Sequence, residues 1–251
     1  MIVLAVDTAT EMVSVALVDG DELLGASEAR SERRHAEDLT PMIDFVMKRA
    51  GLDFADVDAI AVDVGPGLFT GMRVGIAAAQ SLAHVLSVPL VAVDALEAMV
   101  NATNAVTSVE LVVPTIDARR NEVAWALHRV RDDGSTQRVM APTVGARDDL
   151  LLALRDRAQS CLMVGEYALT HREAVIAELG PQSWTVAFGD SIVAYPHAKH
   201  VAWLAHARLV REASYLDDEV VADDVASAPR VAAMYLREAD AEINWVTRSR
   251  Q

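Results

Sequence analysis

The feature that most restricts the fold is a repeat of grammar, not of residues. Between positions 2 and 93 the patterning reads as three strands in quick succession, 2–6, 12–18 and 23–27, then helix, strand, helix and strand. The first helical pattern, 36–50, carries Leu39, Met42, Ile43, Val46, Met47 and Ala50 at spacings of three and four and stops at Gly51. Pro41 falls inside it, so this helix either starts at Thr40 as cap or kinks there. An apolar strand at 59–64 runs into Gly65-Pro66-Gly67, and Thr70 stands where the N-cap of a helix over 71–86 is expected. The strand 90–93 closes the half. From position 110 the order begins again: strands 110–116, 122–130 and, more weakly, 137–140, helix 146–157, strand 161–164, and helices 171–179 and 196–213. A three-strand meander followed by crossover helices, used twice, predicts an α/β chain of two lobes, 1–105 and 106–251, with a cleft between them. Part of the last helical segment is free to pack back on the first lobe. Both halves end their first strand with an aspartate, Asp7 and Asp117.

A chain of 251 residues can fill two such cores. The N-terminal apolar run is too short for a signal segment and lacks basic residues, and no stretch reaches about 18 apolar residues. The expected location is cytoplasmic, without membrane contact. The formal charge is −15 and only Lys48 and Lys199 are lysines, which argues against a surface that grips nucleic acid unaided. Any RNA is expected to be held by another subunit. The single cysteine, Cys161, lies in an apolar run and reads as a buried core thiol. His35, beside Glu37 and Asp38, reads as a helix cap, and His197, His200 and His206 do not follow the i, i+4 spacing of H-E-x-x-H.

The glycine-rich stretch AVDVGPGLFTGMRVG joins a strand to a helix N-terminus, where backbone N–H groups can converge on an anion. It is not a P-loop, because Met72 and Arg73 follow Gly71 where lysine and a hydroxyl are needed, and it misses G-x-G-x-x-G by one residue. The duplicated layout resembles the actin-like ATPase superfamily (ASKHA, RNase H-like), with mixed sheets and crossover helices in each lobe. Within that resemblance DTAT at 7–10 is similar to the D-x-G-[TS] hairpin that wraps ATP phosphates, with Ala9 in place of the glycine. Asp7, Thr8, Gly65 and Gly67 are therefore expected as a vestigial phosphate loop, with no cofactor and no metal.

The helix 71–86 has one narrow polar stripe, Arg73, Gln80 and His84, and is otherwise apolar or small. A helix packed on one side only shows a wider polar face. Burial on two sides is therefore expected, with Gly71, Gly75 and Ala79 as a flat strip for a partner helix. The expected interface comprises Leu39, Met42, Ile43 and Val46 of the first helix with Gly71, Val74, Gly75, Ala78, Ala79 and Leu82 of the second.

Taken together, DTAT, RRHAEDLTPMI, GPGLFTGMRVG, VPLVAVDALEAM, IDARRNEVAW and MYLR resemble the TsaB family, also called YeaZ and grouped with M22 glycoprotease-like proteins. The resemblance spans the chain and is densest from 1 to 100. It implies a noncatalytic subunit of the machinery that makes threonylcarbamoyladenosine (t6A) at position 37 of tRNA. Such a subunit pairs with its paralogue TsaD through these two helices, or with itself when TsaD is absent. TsaE joins the larger complex, and tRNA is reached only through it. TsaD carries an H-x-x-x-H metal pair, at whose positions this chain has Ala95 and Met99, neither a useful hard-metal ligand. The alternative is an enzyme with its own ATP or metal site, kinase-like or an M22 peptidase.

Overall fold

Val3 and Ala5 face one side of their strand and Leu4 and Val6 the other, and all four are fully buried. A strand of that kind belongs in the middle of a sheet covered on both faces. The computed structural model, which describes residues 1–31, 34–103, 109–216 and 231–236, places it there. β1 (Ile2–Asp7) pairs antiparallel with β2 (Met12–Asp19), and β2 pairs antiparallel with β3 (Glu22–Arg30). On its other side β1 runs parallel to β4 (Ala59–Asp63), which runs parallel to β5 (Leu90–Val93). The second sheet contains β6 (Leu111–Arg119), β7 (Glu122–Val130), β8 (Thr136–Ala146), β9 (Cys161–Val164) and β10 (Val186–Phe188). Its order is β10-β9-β6-β7-β8, against β3-β2-β1-β4-β5 in the first. Mapping β6 onto β1 reproduces every neighbour and every strand direction, so the duplication lies in the topology itself.

The helices are α1 (His35–Ala50), α2 (Phe69–Leu86), α3 (Ala95–Asn101), α4 (Arg147–Arg157), α5 (Glu166–Thr170), α6 (Arg172–Leu179) and α7 (Ala198–Leu216). α1 and α2 cover the outer face of the first sheet, packing on Leu4, Val6, Val15, Leu17, Ile60 and Val62. α4, α5 and α6 do the same for the second sheet around Trp125. The inner faces are covered by exchange. α3, from the first half of the chain, packs Ala95, Leu96, Met99 and Val100 on Val112, Ile116 and Ala124 of the second sheet. α7, from the second half, packs Ala198, Val201, Ala202 and Ala205 on the first. The small residues Ala5, Ala16, Ala59 and Ala61 on that face let α7 lie close. None of the described helices is long and apolar enough to cross a membrane.

Several local expectations are corrected. α1 starts at His35, so Thr40 is not its cap and Pro41 sits inside the helix. Gly51 does close it, in a left-handed conformation whose N–H reaches the Met47 and Lys48 carbonyls. α2 begins after Leu68, not after Thr70, because the Leu68 N–H is held in an extended conformation by the Ala9 carbonyl at 2.6 Å. β8 runs through Pro142, which an edge strand tolerates. The sequence pattern did not reveal α3, α5 or β10.

Candidate functional site

The carboxyl-terminal ends of β1 and β4 bring Asp7, Thr8, Gly65 and Gly67 together, where the sequence places its phosphate loop. Asp7 accepts the Ala9 N–H at 2.8 Å and the Ser14 hydroxyl at 3.5 Å. Thr8 Oγ1 donates to the Gly71 carbonyl at 2.7 Å and accepts the Gly75 N–H at 3.0 Å. A Cβ on Gly67 would collide with the Ala9 carbonyl, one on Gly71 with the Thr8 carbonyl, and one on Gly75 with the Thr8 hydroxyl. These glycines serve the close approach of one backbone to another. Gly65 has φ of +98°, and a side chain there would also strike Met72.

A returning segment covers this turn from outside. The Met234 N–H donates to the Val64 carbonyl at 2.7 Å, Gln80 Nε2 to the Val231 carbonyl at 2.8 Å, and Arg73 Nε to the Tyr235 hydroxyl at 2.9 Å. The Arg73 guanidinium also lies 3.8 Å from the Phe69 ring centroid. Two of the three polar residues of the α2 stripe thus hold residues 231–236, and His84 stays exposed.

Beneath the turn lies a carboxyl pair that the sequence reading did not single out. Asp7 and Asp63 are both fully buried at the ends of neighbouring strands. Asp63 Oδ1 accepts the Gly65 N–H at 2.7 Å, and no protein donor reaches its Oδ2. Burial pushes Asp7 up to about 7, and burial with the charge of Asp7 holds Asp63 well above the usual carboxylate range. Both shifts favour the protonated form, and repulsion between two buried carboxylates disfavours ionising both. The available signal was an aspartate closing each parallel strand just ahead of a tight turn.

Ion pairs join the two sheets. Glu11, in the turn of the first hairpin, accepts from Arg119 of the second at 3.0 Å. Glu97 of α3 takes Arg208 of α7 at 2.6 Å and Arg138 of β8 at 3.2 Å, and Arg138 also pairs with Asp94. Asp117 repeats the local bond of Asp7, accepting the N–H two residues on at 2.7 Å, but its side chain is partly exposed.

The expected interface divides in two. Leu39, Met42, Ile43 and Val46 are buried beneath α1, Gly71 and Gly75 face the chain's own β1–β2 hairpin, and Ala79 is fully buried. The small-residue strip is therefore corrected to an internal contact: it marks a close approach without specifying whose backbone approaches. Val74, Ala78 and Leu82 lie half-buried on the other side of α2, in line with Val85, which is 77% exposed.

Ala95 and Met99 are fully buried in the apolar layer between α3 and the second sheet. His35 is no cap: it is buried, with Nε2 on the Thr10 carbonyl at 2.7 Å. His197 pairs with Glu28 at 3.0 Å, and His200 Nδ1 meets Asn101 Oδ1 at 2.8 Å. Burial pushes the Cys161 thiol up to about 12. Among the described residues no three His, Cys, Asp or Glu side chains group as metal ligands.

A duplicated strand order with exchanged helices and a hairpin-and-glycine turn at the strand ends defines a duplicated α/β protein of two mixed sheets. Residues 26–245 match the family model described as TsaD: tRNA N6-adenosine threonylcarbamoyltransferase, and the chain belongs to this family, in its TsaB/YeaZ group. A structure titled YeaZ from Pseudomonas aeruginosa is 30% identical, with a TM-score of 0.67 over 84% of this chain and 92% of that one. A second P. aeruginosa structure, described as similar to peptidase YEAZ, is 28% identical with a TM-score of 0.72, covering 94% of this chain and 99% of that one. The TsaB of Haemophilus influenzae is 41% identical over 133 residues, 52% of this chain and 56% of that protein. The chain spans 56% to 66% of the length of the first curated relatives it matches.

Proposed function

We propose that this chain is a noncatalytic subunit in the synthesis of threonylcarbamoyladenosine on tRNA, docking on a TsaD-type transferase and holding it in its active arrangement. The observation that supports the reading is the closely packed cradle, in which the chain's own Thr8 and Ala9 lie against Gly67, Gly71 and Gly75. In this reading the frame serves as a docking body. Its candidate contact face is the outward side of α2, Val74, Ala78, Leu82 and Val85, beside α1 with its exposed Phe45. The Phe69–Arg73–Tyr235 cluster extends this face with the aromatic and arginine side chains that dominate interface energetics. TsaE joins the pair in this reading, a second copy takes the same face when TsaD is absent, and tRNA is modified within the assembly.

The test is association with purified TsaD followed by light scattering, with tRNA modification measured in a reconstituted system. Ala78→Arg and Val85→Arg place a charge in an apolar contact at about 3 kcal/mol, which weakens association by about a hundredfold. Melting temperature should hardly change. Unaltered association in both variants, or a micromolar magnesium-dependent ATP site on the isolated chain, would overturn the reading.

A further inference from the structure

Holding residues 231–236 uses only part of what Arg73 offers. Its Nε–H goes to the Tyr235 hydroxyl at 2.9 Å, and its guanidinium carbon lies 3.8 Å from the Phe69 ring centroid and 5.8 Å from that of Tyr235. The two rings are themselves 5.2 Å apart, so the three side chains form one packed cluster. A guanidinium has five N–H donors, and this contact takes one. The donors on the two Nη atoms bond to no described residue. Glu37 and Asp38, in the first turn of the neighbouring α1, make no ion pair with Arg73.

The cluster faces outward. Arg73 is exposed, with Phe69 at 39% and Tyr235 at 46%, and it continues the side of α2 on which Val74 and Ala78 are half-buried and Val85 is exposed. Neither α2 nor residues 231–236 contain an acid, so this is a carboxylate-free strip with a fixed cation at one end, on a chain of net charge −15. A loose arginine loses side-chain freedom when it binds, whereas one already stacked and bonded has lost it in the free chain. The planar fork left on the two Nη atoms matches the two oxygens of a carboxylate.

We propose that Arg73 is the charged anchor of the docking face and takes one Asp or Glu carboxylate that the partner protein presents among apolar side chains. The proposal rests on the reading of α2 as the face that docks on a TsaD-type transferase, and it adds the chemistry of the opposing surface. Val74, Ala78, Leu82 and Val85 supply apolar contact, which by itself leaves the register along the helix open. A carboxylate on Arg73 fixes that register.

The experiment measures association of the full chain with TsaD by light scattering for wild type, Arg73→Met, Arg73→Glu and Ala78→Arg. Arg73→Met keeps the apolar stem and should weaken association about tenfold, and Arg73→Glu about a hundredfold. A set of TsaD variants, each with one surface Asp or Glu changed to Lys, then locates the carboxylate. One of them should bind Arg73→Glu at least about tenfold more tightly than unaltered TsaD does, a gain that an arginine serving only to hold residues 231–236 cannot give. Undiminished association of Arg73→Met, with loss in Ala78→Arg, would overturn the anchor and leave the docking face standing. Undiminished association of both variants would remove both. Weakened association of Arg73→Glu that no member of the set restores would show that Arg73 acts only through residues 231–236, and would also overturn the proposal.

Discussion

Asp63 is the residue whose protonation most directly tests the geometry of the closely packed cradle. Carboxyls that keep protons in the folded chain but lose them in the unfolded one make stability fall as pH rises. For Asp7 the window runs from 3.8 to about 7, and for Asp63 it runs upward from 3.8. His128 and His200, pushed down to about 4 by burial, act with the opposite sign up to their ordinary 6.5. His197, raised chiefly by its hydrogen bond to Glu28, adds stability below 6.5 that is lost as pH rises through its raised value. Glu11 and Glu28, held low chiefly by Arg30 and His197 respectively, act only below 4.5. The opposing groups offset one another in mild acid, and a net decline stands clear above 6.5. Asp63→Asn keeps an acceptor for the Gly65 N–H and supplies a donor to Asp7 without a proton to lose. Its melting temperature should gain steadily on wild type from about pH 5 to about pH 7. Parallel curves for the two proteins would show that Asp63 holds no proton in that range.

Helix α2 shows at the scale of an element what the sequence could and could not convey. Its two-sided burial was legible from the narrow polar stripe, but the assignment of sides was not. Glycines spaced by four report only that something approaches closely, and in the fold that neighbour is Thr8. Gly75→Ala forces Thr8 to give way and should cost about 1 to 3 kcal/mol by denaturant titration. A variant as stable as wild type would mean that α2 does not sit against the hairpin as described. The same helix explains why its stripe is polar: Arg73 and Gln80 hold residues 231–236, a partner more than 150 positions away that no local pattern can report. The meander strands were readable because their alternation is long, and β9 because it is a pure apolar run. α3 was passed over although Asp94 caps it by accepting the Glu97 N–H at 2.8 Å, since seven residues carry little periodicity. β10, with three residues, carries none. The carboxyl pair joins residues from separate strands, so only the fold brings it together.

Across the whole molecule, the exchange of α3 and α7 means that the inner face of neither sheet is covered by its own half of the chain, and the lobes depend on one another. The polar contacts between them are of two grades. Arg119 reaching Glu11 is about half exposed at its arginine end, so water competes for it and its worth is under about 1 kcal/mol. Arg138 on Asp94 differs, because the Asp94 side chain is only 6% exposed and burial already pushes its carboxyl above the usual range against the pull of Arg138. With Arg138 removed, Asp94 keeps the Glu97 N–H but loses its counter-charge, while Glu97 keeps Arg208. Arg138→Met, which retains the length of the stem, should therefore cost about 1 to 3 kcal/mol. For a chain of this size that lowers the melting temperature by roughly 3 to 10 °C, against less than about 3 °C for Arg119→Ala. Replacing Asp94 by Asn in the Arg138→Met background should recover part of the loss, because the unpaired buried charge, not the missing hydrogen bond, is the larger penalty. Equal, small effects from Arg138→Met and Arg119→Ala would show that both bridges are solvated ornaments on a joint made by the exchanged helices alone.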